Sequence, residues 1–300
     1  MHAIECASVR WSALSMRHYL SVLLLLAAPA LADFVPYGAS FEAILALEAP
    51  APDLVESYGE AEEQRREFWL HTASDAPRPL VVLIHGGCWL NAYGVEHARA
   101  LAGALRDEGY VVLAPEYRRV GDAGGGWPGT LDDLRTAVQG ALARVDALGV
   151  DPERVALVGH SAGGHLALLL ALELGAEYPA LSTVGLAAIT DPERYAFGSG
   201  SCHAATPEFF GGMPQARADA YRVGSPLRRI EVAPDTPLTL IHGTRDSIVA
   251  PDQAEALAAA GSRVDVRWLV EAAHFDLIHP GGGAFPVLLD ALPSVEGPAR

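Results

Sequence analysis

The stretch VALVGHSAGGHLALLL, residues 155–170, limits this chain more than any other. Its first part is a β-branched apolar run of strand type, and its second part is an apolar segment of helical length. Between them stands Ser161, with Gly159 before it and Gly163 and Gly164 after it. A chain that passes from strand to helix through so sharp a turn needs glycine on both sides, because side chains there would meet the neighbouring strand and helix. The serine then takes a strained backbone conformation, and its hydroxyl stands clear at the carboxyl end of a sheet. The Ala162 amide, first in the helix, lies beside it, where a developing negative oxygen can be held. A phosphate-binding turn would want a P-loop lysine or GxGxxG spacing, and neither is present.

Around this turn the chain has an α/β rhythm. From Phe68 onward, short apolar runs alternate with longer helical segments, the pattern of a mostly parallel central sheet flanked by helices. Strands are expected over 68–72, 80–84, 110–114, 155–159, 184–189, 238–242 and 264–270, and helices over 95–108, 130–148, 162–174, 252–260 and 285–291. Gly109, Gly149, Gly175 and Gly261 sit where those helices should stop. Residues 33–65 give weak signals, with one helix near 41–47. Residues 121–129, GDAGGGWPG, read as a flexible loop, and 191–237, rich in Gly, Pro and Ser, read as an inserted small cap. With 300 residues, half of them hydrophobic, the chain can bury a sizeable core.

Arg17 and His18 precede YLSVLLLLAAPALA, a basic start, short apolar core and small-residue end that fit an export signal over residues 1–32. Met16 is an alternative start. The mature domain then covers 33–300, and the run is too short to span a bilayer comfortably, so no stable membrane insertion is expected after cleavage. Removing 1–32 takes away Arg10, Arg17 and Glu5, so the formal charge of −16 becomes −17. Nucleic acid and anionic membrane surfaces are poor partners for such a chain. It contains no lysine, which excludes catalytic-lysine and Schiff-base mechanisms. Export leaves Cys88 and Cys202 in a compartment that permits a disulfide; they pair or stay free.

The run PLVVLIHGGCWL ends a strand in the chain's only HGG, and it precedes Ser161. Glycine lets main-chain amides approach and point at a tetrahedral oxyanion. Gly87 and Cys88 are the expected donors with Ala162, and Gly86 is the alternative for one of them. Cys88 sits in this loop without the context of a cysteine nucleophile. A serine needs a base near neutral pH, oriented by a carboxylate, and for a serine on such a turn the acid and then the histidine follow it along the chain. His274, just beyond the strand expected at 264–270, is the expected base, with His279 as runner-up. His165 points toward packing, His242 ends a strand and His203 lies in the insertion. Asp246, a few residues past the strand expected at 238–242, is the expected acid. Asp276 and Asp252 are fallbacks, Asp252 reading better as a helix N-cap.

In combination, HGGCW and GHSAGGHLA resemble the α/β-hydrolase family over about residues 68–292. The branch most similar contains kynurenine formamidases and small carboxylesterases, which carry HGGxW, whereas the hormone-sensitive-lipase branch shows HGGG and GDSAGG. PEYRR, residues 115–119, also resembles the segment after strand four in these esterases, with no catalytic role attached. The resemblance implies an α/β-hydrolase fold and acyl transfer from a small-molecule ester or amide to water: Ser161 attacks, His274 moves the proton and Asp246 holds the imidazole. It needs no cofactor and no metal, and the sequence has no HExxH and no close Cys/His cluster. Formamidases of this branch are usually intracellular, so the export signal favours a secreted esterase acting on short acyl or carbohydrate-linked esters. An arylformamidase or other amide hydrolase with the same triad is the alternative. A non-catalytic binding protein on this fold is the alternative of another class. A prolyl-oligopeptidase would want length for a propeller, and a haloalkane dehalogenase would want aspartate at position 161.

Overall fold

The strand RPLVVLI buries every residue after Arg78, and strict alternation divides its side chains between two cores. Leu80, Val82 and Ile84 join one hydrophobic cluster, and Val81 and Leu83 the other. Such a strand must be covered on both faces, as parallel strands usually are. A computed structural model of the protein describes residues 36–72, 76–178, 180–233 and 235–296; the expected export signal lies outside the described residues. The strands are β1 (Leu54–Ser57), β2 (Arg65–Trp69), β3 (Arg78–Ile84), β4 (Val111–Pro115), β5 (Val150–His160), β6 (Ser182–Leu186), β7 (Leu238–Gly243) and β8 (Val264–Leu269). They form one eight-stranded sheet in the order β1-β2-β4-β3-β5-β6-β7-β8. The pairs β1–β2 and β2–β4 are antiparallel and the others parallel.

The helices are α1 (Phe41–Leu45), α2 (Arg99–Asp107), α3 (Gly129–Leu142), α4 (Val145–Leu148), α5 (Ala162–Leu174), α6 (Pro192–Tyr195), α7 (Ser201–Phe210), α8 (Ala218–Val223), α9 (Pro226–Ile230), α10 (Asp252–Ala260) and α11 (Ala284–Ala291). Core residues of α3, α5, α7 and α10 share the cluster of Leu80 and Val82, whereas α1, α2 and α11 cover the opposite face. Helix α5 is nearly all apolar because it lies over the sheet centre; among its residues only Leu172 and Glu173 are not fully buried.

Two expected helices are broken in the structure. The span 95–108 opens as a tight 3₁₀ turn, Val95–Ala98, whose first amide donates to the buried Glu116 carboxylate at 2.9 Å. The span 130–148 divides at Arg144, which leaves helical geometry and sends its guanidinium to Glu56. Residues 121–129, expected to be a flexible loop, are tied down instead. Trp127 donates its amide to Phe209 O at 2.8 Å, and Gly126 donates to Thr130 Oγ1 at 3.1 Å. The inserted span folds into α6–α9, which no apolar run announced. Asp252 does not act as an N-cap: it is the first residue of α10, and its carboxylate pairs with Arg194 at 2.6 Å.

Candidate active site

The turn from β5 into α5 has the geometry its glycines require. Ser161 has φ +57° and ψ −119°, a conformation an L-residue adopts only at a cost of about 1–3 kcal/mol. Its backbone is held on both sides, since its amide donates to Leu186 O at 2.9 Å and its carbonyl accepts from His165 at 3.1 Å. A Cβ on Gly159 would strike the Gly163 carbonyl, and one on Gly163 would strike the carbonyls of Ile84 and His85. The Ser161 hydroxyl forms no hydrogen bond with any described residue, including His274.

His274 and Asp246 come together from the loops after β8 and β7. His274 Nδ1 lies 2.7 Å from Asp246 Oδ2, and both residues are buried. The other carboxylate oxygen accepts the amides of Ile248 and Val249, each at 2.8 Å, so its orientation is fixed before the histidine is considered. A carboxylate facing Nδ1 demands the proton there, which leaves the Nε2 lone pair free to accept one. Ser161 and His274 line the same cavity of about 300 Å³, together with Gly87 and Cys88. Asp246 sits behind His274, outside the lining.

The loop after β3 supplies the amides. Gly87, Cys88 and Trp89 have φ of +106°, +54° and +59°, a run that bends the chain sharply around the cavity wall. None of the amides of Gly87, Cys88 and Ala162 donates to an acceptor among the described residues. Gly86 is pressed against the nucleophile turn, a Cβ there falling 3.1 Å from Ser161 Cβ. Trp89 is fully buried and stacks on Phe209 at 4.9 Å between ring centres. Cys88 is disulfide-bonded to Cys202 at the start of α7, with a Cα–Cα separation of 4.8 Å, so the pairing left open by the sequence is resolved.

The remaining candidates have structural partners. His279 accepts the Gly281 amide at 3.0 Å. Asp276 takes the amides of Gly38, Ala39 and Ala273 at 2.7–2.9 Å. His165 donates from Nε2 to Gly224 O at 2.7 Å, and burial pushes its imidazole down to about 4. The ring nitrogen His242 Nε2 lies 2.9 Å from Val249 O, and burial lowers that group as well. His203, set aside as part of the insertion, lines the cavity, and its Nδ1 lies 2.7 Å from Tyr195 O.

Sequence reasoning missed the wall contributed by Phe41, Tyr93 and His97, since lone aromatic residues and a histidine outside any motif give no signal. It also assigned nothing to Glu116 of PEYRR. That carboxylate is buried behind the HGG loop, 2.9 Å from His85 Nε2 and 3.0 Å from Arg119. Burial pushes Glu116 up, but His85 and Arg119 outweigh it and hold the carboxyl at about 2. Tyr117 completes the support: its ring stacks on His85 at 4.3 Å and its hydroxyl donates to His85 O at 2.7 Å. Among the described residues no group of three or more His, Cys, Asp or Glu could hold a metal ion, and no helix is long and apolar enough to cross a membrane.

Comparison with known proteins agrees with this architecture. The family model BD-FAE matches residues 67–260, more than half of the chain. Esterase LipC of Mycobacterium tuberculosis is 29% identical over 246 residues, a match that covers 74% of this chain and 59% of LipC. The chain thus spans less than two thirds of that relative's length. Among solved structures, esterase B from Lactobacillus Rhamnosis superposes with a TM-score of 0.68 at 20% identity, covering 83% of this chain and 87% of that one. A truncated carbohydrate esterase from gut microbiota gives 0.65 at 18% identity, covering 81% of this chain and 97% of that one. At such identities these two likenesses speak for the fold. With its elbow serine, its HGG loop and a match running from β2 into α10, the chain belongs to the BD-FAE family of α/β-hydrolases.

Proposed function

We propose that this protein is an exported serine hydrolase that cleaves carboxylic esters. The observation that carries the reading is the 2.7 Å pairing of His274 Nδ1 with a buried Asp246, on a cavity that also exposes Ser161. Ser161 Oγ attacks the ester carbonyl carbon as its proton passes to His274 Nε2, and the carbonyl π pair moves onto oxygen. The amides of Gly87, Cys88 and Ala162 receive that oxyanion, and loss of one such donor typically costs ~3 kcal/mol of transition-state stabilisation. His274 then protonates the departing alcohol as the C–O bond breaks. Water repeats the sequence on the acyl-enzyme and regenerates Ser161. No step calls for a metal or organic cofactor.

The finer reading is a short acyl or carbohydrate-linked ester. A cavity of about 300 Å³ suits a small acyl group, and the hydroxyls of Ser199, Ser201 and Ser247 on its rim suit a polar alcohol. Similarity to LipC, named an esterase, and to a structure titled carbohydrate esterase supports the same direction. The segment from α6 into α7 acts as the cap that supplies Ser199 and Ser201, and Ser247 comes from the loop after β7.

Hydrolysis of p-nitrophenyl acetate, butyrate and octanoate, beside N-formylkynurenine, tests the reading, with Ser161→Ala as control. Turnover of acetate and butyrate that vanishes in the alanine variant is the expected result. Dominance of formylkynurenine by orders of magnitude in kcat/KM would make the protein an arylformamidase. Absence of turnover together with no fluorophosphonate labelling of Ser161 would make it a binding protein.

A further inference from the structure

Residues 36–45 lie outside the segment matched by the family model, yet they reach the cavity. The amides of Gly38 and Ala39 donate to the Asp276 carboxylate at 2.8–2.9 Å, and Asp276 also accepts Ala273 N at 2.7 Å. One carboxylate thereby joins this N-terminal arm to the loop that carries His274. Ser40 caps α1 by accepting the Ala43 amide at 3.2 Å, which fixes where the next two side chains go. Phe41 meets Tyr93 edge to face at 5.4 Å and Phe275 at 5.6 Å, and all three rings line the cavity. Glu42 stands next to them at the mouth.

The charge of this wall is one-sided. Among the described residues, Glu42 is the only carboxylate in the lining, and no arginine lines the cavity. Hydrogen bonds from its own amide and from Ser40 hold Glu42 below the usual carboxylate range, so it is ionised at neutral pH. Burial pushes the lining His97 down to about 3, and burial with the neighbouring His274 pushes His160 well below the ordinary imidazole range. Neither offsets the carboxylate. A fixed negative charge beside the negative faces of aromatic rings is the surrounding that favours an alkylammonium group, and it disfavours a second carboxylate.

Resting on the serine-esterase reading, we propose that the N-terminal arm selects substrate by charge, and that the site prefers esters whose alcohol carries an alkylammonium group. Phe41 and Glu42 are its specificity residues, and Asp276 is the positioning residue that holds the arm. Acetylcholine and its uncharged isostere 3,3-dimethylbutyl acetate differ at one atom and test this directly. In low salt, kcat/KM for the cation should exceed that for the isostere by about four- to tenfold, mainly through KM, given one exposed charge and aromatic faces. The ratio should approach one in Glu42→Gln and in about 1 M NaCl, and fall partway in Phe41→Leu. A ratio compares two substrates on one preparation, so it is insensitive to the folded fraction. A wild-type ratio at or below one, a ratio unmoved by both substitutions, or refusal of both esters while p-nitrophenyl acetate is cleaved would overturn the charge-selection proposal and leave the esterase reading standing. Failure of all three esters, with Ser161 unlabelled by fluorophosphonate, would overturn the esterase reading itself.

Discussion

Asp246 illustrates how one side chain can be committed on both of its oxygens. Oδ1 is occupied by the Ile248 and Val249 amides, which only an acceptor can satisfy, and Oδ2 faces His274 Nδ1. In Asp246→Asn the amide oxygen must take the Oδ1 place, so the NH₂ group is turned toward Nδ1. That forces the imidazole proton onto Nε2, where the base is needed. We expect kcat on p-nitrophenyl acetate to fall about 10⁴-fold with the fold preserved by circular dichroism. A variant that keeps more than a tenth of the wild-type rate would show that Asp246 does not set the tautomer. The same economy appears at Glu116, whose carboxylate serves His85, Arg119 and the Val95 amide together. Removing any one partner leaves the others around a buried charge.

At the scale of elements, the cavity wall is assembled from pieces distant in sequence, and two connections hold it. The Cys88–Cys202 bridge ties the HGG loop to α7 across a sequence separation of 114. Opening so long a loop in the unfolded chain should lower stability by about 2–4 kcal/mol in Cys202→Ser, read from urea denaturation at fixed m. An unchanged midpoint would mean that packing of α7 alone fixes this wall. The other connection is Asp276 with the arm. Asp276→Asn replaces one of the oxygens that receive the Gly38 and Ala39 amides with a donor, so limited proteolysis should cut within residues 36–45 much faster than in wild type. Equal cutting rates would place the arm's anchorage in the Phe41 contacts instead. These elements were the least legible in the sequence. Strand β1 alternates between partly exposed and fully exposed residues and has no apolar run, because it is an edge strand paired only to β2. Helices α6, α8 and α9 are each six residues or fewer, too short to show a period. By contrast α5 and α10 were readable to the residue, since each runs apolar or alanine-rich between clear breaks.

For the molecule as a whole, acid is the condition it should tolerate least. His97 and His165 are buried and held down to about 3 and 4, and His160 and His242 are also lowered by burial. A histidine depressed in the folded state binds its proton more readily once unfolded. Stability is therefore lost as pH falls below the unfolded value of about 6.5, at about 1.4 kcal/mol per pH unit for each such group until its folded value is reached. Glu116 acts in the same direction at lower pH, since a depressed carboxyl adds stability above about 4.5 that disappears as pH falls toward 2. Unfolding midpoints measured from pH 7 to pH 4 should drop steeply, and His165→Phe should lessen the slope. A flat profile over that range would mean that these imidazoles gain partners on protonation. The mostly parallel sheet and the Ser161 turn were legible because burial on two faces and a steric need for glycine leave direct marks in residue type. The acid sensitivity was not, because it depends on which histidines the fold covers.

The clamp on the arm also has a meaning in time. Asp276 is separated by 238 residues from Gly38, and His274 by 28 from Asp246. A polypeptide made amino end first exposes Phe41, then the HGG loop, then the serine turn, and each must wait for the segment that holds or activates it. On the serine-esterase reading, until that late segment emerges the nascent chain carries a nucleophile with no base and a binding wall with no anchor, so synthesis itself would keep the proposed centre silent.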